Sequence, residues 1–278
     1  MQPLLADAPN RFIVFPKTPG DLHIFLQTLP QIQEELGKQY GEQGRMAARR
    51  ITCEISYFLG HTEEALAFAM EHGSIKSSSS MDTVLSLCLL FRCCLAMGLP
   101  QKAEECMLEL IRSAQADPKC LPAYRALRIW ANLTTGWSGE TPRFYDTPDG
   151  KRLPVLDDRL KSIRMGAART TPLEEPFVSY AERRYKGAYA VRQYYMDLFH
   201  AMYWFQMGEH KQAEFYFFNL YSVASTSGLL MPFVECGRQI APLLRHMRSV
   251  AAPHAQDWIA GVLAHAEQYE KNLDTYRD

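Results

Sequence analysis

The chain of 278 residues carries 30 Lys+Arg against 31 Asp+Glu, a formal net charge of -1, with 47% hydrophobic and 22% charged residues. Such values describe an ordinary globular chain able to bury its own core, and they exclude intrinsic disorder. A balanced charge supplies no field for holding phosphate backbones, so no direct nucleic-acid binding is expected.

The first residues, Met1-Gln2-Pro3-Leu4-Leu5, open an N-terminal extension over 1–20 that holds a short apolar tract from Phe12 to Phe15. They lack the basic start and sustained apolar run of a secretion signal, and no later stretch reaches the roughly 18 uncharged apolar residues of a membrane span. From there the apolar residues recur at helical spacing. Helices are predicted near 21–38, 43–59, 62–72, 82–97, 101–115 and 121–134, the first set of helical repeats (21–133). Gly73 to Ser80, with four consecutive serines, reads as a connector, and Ser80 or Asp82 is placed to cap the helix that follows.

An irregular insertion over 134–176 interrupts the pattern with Gly136, Gly139, Pro142, Pro148, Gly150, Pro154, Pro172 and Pro176. Within it, Arg143 to Val155 reads as a small hairpin around Asp149-Gly150, either folded over a groove or carried as a surface insertion. Helices are predicted near 157–166 and 174–186. The C-terminal repeats and terminal helices (177–278) continue with helices near 188–207, 210–226, 237–248 and 254–275.

One turn recurs three times: Gly60-His61-Thr62-Glu63-Glu64-Ala65, Gly98-Leu99-Pro100-Gln101-Lys102-Ala103 and Gly208-Glu209-His210-Lys211-Gln212-Ala213. A glycine closes one helix in the left-handed conformation, and an alanine lets the next antiparallel helix approach closely. The glycines lie 38 and 110 positions apart, the second gap about three periods of ~37. Ala201, Trp204, Gly208, Ala213 and Phe217 complete the pattern in the last unit, which resembles the tetratricopeptide family. The resemblance implies an all-α, tetratricopeptide-like right-handed solenoid of helical hairpins.

A second resemblance lies in Leu229-Leu230-Met231-Pro232-Phe233-Val234-Glu235-Cys236-Gly237, followed by Ile240-Ala241-Pro242-Leu243-Leu244-Arg245 and, later, Glu267-Gln268-Tyr269-Glu270-Lys271. This is similar to the end of the sensor region of LuxR-type transcriptional regulators of the maltose-activator (MalT-like) class. The similarity covers about the last third of the chain and continues more loosely back to about residue 45. Full-length members join an ATPase module, a helical sensor and a C-terminal helix-turn-helix. Here the nearest approach to a phosphate-binding loop is Gly150-Lys151, with Tyr145 in place of the first glycine and Arg152 in place of the hydroxyl residue. The chain stops at Asp278, where the DNA-binding segment would begin. Neither nucleotide binding nor DNA binding is carried over; the resemblance implies the sensor part alone.

Chemistry-bearing patterns are sparse. His61, His72, His200, His210, His246, His254 and His265 include no H-E-x-x-H pair, so no metal is expected. Gly136-Trp137-Ser138-Gly139 lacks the last glycine of a nucleophile elbow, Glu140 standing there. Glu34-Glu35 and Asp157-Asp158 point to different helix faces and are not paired for acid–base work. Seven cysteines without a C-x-x-C pair, with Cys88, Cys93 and Cys94 inside an apolar run, fit a reducing cytoplasm.

Aromatic residues crowd 194–221. Tyr194, Leu198, Ala201 and Phe205 form a stripe for packing on the partner helix, leaving Tyr195, Phe199, Met202 and Gln206 as a second stripe able to line a ligand or partner groove. The sequence therefore points to a non-enzymatic, cytoplasmic module without cofactor, which senses a small-molecule effector or binds a protein or peptide in transcriptional regulation. A generic tetratricopeptide scaffold or adaptor is the second reading. An enzyme using 134–176 as a lid is the third, with no nucleophile–base pair in view.

Overall fold

The computed structural model describes residues 21–73, 80–121, 124, 127 and 190–277, which are helical and contain no strand. The extension, the insertion with its hairpin, the helices expected near 157–166 and 174–186, and nearly all of that near 121–134 lie outside these residues. The elements are α1 (Asp21–Phe58), α2 (Thr62–Gly73), α3 (Ser80–Ala96), α4 (Pro100–Ala116) and a 3-10 turn at Pro118–Cys120. After the undescribed stretch come α5 (Ala190–Gln206), α6 (His210–Ser227), α7 (Met231–Val234), a 3-10 turn at Gly237–Gln239, α8 (Ala241–Val250) and α9 (Pro253–Arg277).

Two helices expected near 21–38 and 43–59 run together as α1, but Gly41 inside it has φ 60 and ψ -140. The break falls in the gap the periodicity left, at a residue whose missing Cβ permits positive φ. α7 was not foreseen; its four residues, with Pro232 in the first turn, are too short to show a helical period.

The three glycine turns share one hydrogen-bond pattern. Gly60 N–H donates to Tyr57 O and His61 N–H to Ser56 O, each at 2.9 Å. Gly98 and Leu99 donate in the same way to Leu95 and Cys94, and Gly208 and Glu209 to Phe205 and Trp204. This is the Schellman closure, which needs a left-handed residue, and the three glycines have φ of 85, 66 and 78. Ala65, Ala103 and Ala213 each donate to the residue four positions back to start the next helix, and all three are fully buried. With no side chain beyond Cβ, they let α1 and α2, α3 and α4, and α5 and α6 pack as neighbours.

The core is continuous from end to end of the described chain. α3 lies deepest, its Val84, Leu85, Cys88, Phe91 and Cys94 fully buried. α9 packs against α8 and returns to α3 and α4, while α7 touches α1, α5 and α9. Backbone and side-chain bonds fasten this return. Leu230 N–H donates to Phe58 O at 2.9 Å, closing the end of α1 against α7. Asn272 Nδ2 on α9 donates to Ala96 O at the end of α3, 2.6 Å away.

Candidate functional site

Arg92 is the only charged residue between Asp82 and Lys102. A cation in such an apolar run is stable in a core only where a counter-charge and hydrogen bonds meet it. The fold supplies both. Arg92 donates through Nη2 to Glu235 Oε1, and both side chains are buried. Tyr57 donates its hydroxyl to the same oxygen at 2.6 Å. The guanidinium carbon stands 4.7 Å from the centre of the Tyr57 ring and 5.1 Å from that of Phe58, so two aromatic faces share its charge. α1, α3 and the segment after α7 thus meet at one neutral pair.

Tyr269 on α9 brings a fourth element, a buried phenol within the field of Glu235 and Arg92. Burial pushes both phenols well above their ordinary range; the Glu235 charge raises them further, and Arg92 offsets part of the effect. They stay protonated and serve as donors or packing groups. Arg50 and Glu54, one turn apart on α1, are buried as well.

Above this cluster a cleft of about 330 Å³ opens between α2, α3, α7 and α9. Its apolar wall comes from Ala96 and Met97 at the end of α3 and from Leu230, Met231 and Val234 around α7. Thr62 at the start of α2 and His265, Gln268 and Asn272 along one face of α9 supply polar groups. Tyr269 lines the cleft, and its buried phenol also feels the charges of Glu235 and Arg92. The volume falls at the lower end of the range of small-molecule sites, about 300–1,000 Å³. A larger hollow of about 520 Å³ follows the bend of α1 past Pro30, Gly37 and Arg45 and, among the described residues, is lined by that helix alone.

Of the expected groove residues, neither Met202 nor Gln206 lines this cleft. Met202 is buried at 2% exposure and Gln206 is exposed; Tyr195 and Phe199 lie on α5, with side chains outside the described residues. The companion stripe packs inward as its spacing suggests, with Tyr194, Leu198 and Ala201 buried and Phe205 half-buried. Tyr194 is set edge-on to Phe233, their ring centres 5.7 Å apart.

A second polar group gathers where α8 meets the α5–α6 hairpin. His246 Nε2 stands 3.1 Å from Glu214 Oε1, and its ring lies 4.7 Å from that of His210 and 5.5 Å from that of Phe205. Among the described residues no group of three or more His, Cys, Asp or Glu side chains is arranged to hold a metal ion. All seven cysteines are buried free thiols. Burial raises the Cys88 thiol to about 12, and Cys236 further.

Sequence reasoning did not single out the Tyr57–Arg92–Glu235 cluster. A signal was present: a lone cation in the run from Val84 to Ala96 and a lone acid in Leu229 to Gly237. Residues of that kind are buried only when paired.

No family model matches the chain, and no curated protein matches it.

Proposed function

We propose that the chain is a non-enzymatic helical-repeat module that senses a small effector or binds a protein partner, serving transcriptional regulation without itself touching DNA. The cleft between α2, α3, α7 and α9 carries this reading. Its walls come from both ends of the described chain, and Asn272 in its lining is bonded to Ala96 O at the end of α3, so an occupant touches elements that hold the two ends together. A ligand that binds the closed arrangement favours it by its own differential affinity. The repeated Schellman turns and buried alanines support a tetratricopeptide-like right-handed solenoid as the parent architecture, with α7 to α9 folded back on it. The link to MalT-like sensor regions rests on the sequence similarity from Leu229 onward. Seven buried thiols fit a reducing cytoplasm, and no described helix is long and apolar enough to cross a membrane.

The adaptor reading draws on a different surface. Phe215, 60% exposed on α6, and Leu108, exposed on α4, offer apolar contacts outside the cleft. Thermal unfolding against panels of metabolites, peptides and regulator proteins separates the two, because whatever binds only the folded state raises the melting temperature. A saturable shift with a metabolite supports sensing. Shifts confined to proteins or peptides support the adaptor and overturn sensing.

A further inference from the structure

Adjacent cysteines near the end of α3 turn to opposite neighbours. Cys93 is hydrogen-bonded to Cys53 of α1, and Cys94 to Cys106 of α4. The place of the second pair follows from the turn at Gly98. Cys94 O accepts the Leu99 N–H that closes α3, and Ala103 N–H donates to Leu99 O to open α4. Cys106 comes one turn after Ala103 on the face that α4 buries, with Met107 and Leu110. A hairpin closed so tightly sets the last turn of α3 against the second turn of α4.

The surroundings of the two pairs differ. Cys53 Sγ already donates to Ala65 O at 2.9 Å, and burial holds the Cys93 thiol well above its ordinary range. Cys106 instead donates to Cys94, and that hydrogen bond lowers the Cys94 thiol; burial opposes the effect and the Lys102 ammonium adds to it. Half-buried Lys102 and exposed Glu105 act on both thiols, which places this pair at the edge of α4, beside side chains that reach solvent. One sulfur that ionises more readily, touching a second that stays protonated, is the arrangement of an attacking and a resolving thiol.

We propose that Cys94 and Cys106 are a redox-active dithiol, which hydrogen peroxide closes to a disulfide and thiol reductants reopen. The Cys94 thiolate attacks one peroxide oxygen; an S–O bond forms, the O–O bond breaks, and the departing hydroxide takes up the proton Cys94 released and leaves as water. Cys106 then attacks the sulfur of the Cys94 sulfenic acid. The S–S bond forms, the S–O bond breaks, and the hydroxide leaves with the Cys106 proton as a second water. Two thiols give up two electrons to one peroxide. A disulfide of this transient kind is compatible with a reducing compartment, where it is reopened after the oxidant has gone. The bond ties the last turn of α3, which leads into Ala96 and Met97 on the cleft wall, to α4. The pair closes in this way whether or not the cleft holds an effector.

Peptide mapping of the full chain after hydrogen peroxide treatment tests it. The reduced, folded protein is exposed to the oxidant, remaining thiols are alkylated, and trypsin then separates residues 93–102, which hold Cys93 and Cys94, from residues 103–112, which hold Cys106. The two peptides should emerge joined, about 2 Da lighter than their sum for the two hydrogens lost, and fragmentation should place the bond on Cys94. Free thiols counted after unfolding should fall by two from seven, with helical circular dichroism retained, and dithiothreitol should restore them. Cys94→Ala and Cys106→Ala should each abolish the joined peptide, while Cys53→Ala should leave it; if a variant does not fold, fragmentation of the parent's joined peptide decides alone. Seven thiols still free after treatment, sulfinic acid on Cys94 or Cys106 in place of the bond, or a bond that runs through Cys93 would overturn the proposal.

Discussion

Tyr57 and Glu235 stand 178 positions apart in the chain and meet in a 2.6 Å hydrogen bond, on the same carboxylate oxygen that receives Arg92. The first repeat hairpins and the C-terminal return are joined at this point, and an acid that has lost its partners there is left in an apolar core. Arg92→Met or Glu235→Leu alone should therefore lower unfolding stability by about 3–5 kcal/mol, whereas the double variant should recover much of the loss. Urea unfolding of the four proteins measures the coupling. Tyr57→Phe removes one bond to a charged group and should cost less, about 1.5–3 kcal/mol.

The glycine turns differ in what surrounds them. A Cβ at Gly60 would meet Leu230 Cδ2 at 2.6 Å, whereas one at Gly208 would meet nothing within 4 Å. Gly208→Ala should cost only the left-handed backbone penalty, about 1–2 kcal/mol. Gly60→Ala should cost more, because it also presses on Leu230 beside the cleft. Equal losses in paired thermal melts would contradict this.

These turns were the part of the fold most legible in the sequence, because a positive-φ glycine and a close-approach alanine are local requirements that leave a local mark. The break at Gly41 was visible as a lapse in periodicity. What joins the ends was not legible. Arg92 and Glu235 are 143 positions apart, and nothing in the spacing of either says which partner it finds. The aromatic stripes of α5 show the same limit, since periodicity separates two faces without saying which is covered. Met202, assigned to an open groove, is buried, while the cleft forms from Met97, Met231 and Tyr269 on three other elements.

Alternating burial on α6 gives a sharp contrast between near neighbours. Phe217 is fully buried against Phe233, at a ring-centre distance of 6.2 Å, while Phe215 is exposed. Phe217→Ala should lose about 3–5 kcal/mol. Phe215→Ser should stay within about 0.5 kcal/mol of the parent by denaturant unfolding. If Phe215→Ser also abolished binding of a protein partner, the adaptor surface would be located.

Alkali should unfold the protein. The Cys88 thiol ordinarily ionises near 9.0, and burial holds it protonated to about 12 in the folded chain. Below the lower value the thiol is protonated in both states and the folded form keeps its full stability. Between the two values only the unfolded thiol ionises, so stability falls as pH rises, by at most about 1.4 kcal/mol per pH unit for such a group. Tyr57 and Tyr269, raised in the same direction, add to the loss above the ordinary tyrosine range. Melting temperature should hold steady up to about pH 9 and then drop through the window up to about 12. A melting temperature unchanged across that window would contradict the burial of these groups.

The most direct measurement for the sensing role is the melting temperature of the parent chain and of Ala96→Trp, taken side by side against one panel of small metabolites. The account predicts a saturable rise with at least one metabolite in the parent chain, and no rise with that compound in the variant whose cleft is filled. A rise of equal size in both proteins, or no rise with any metabolite while a protein partner raises both, would contradict it.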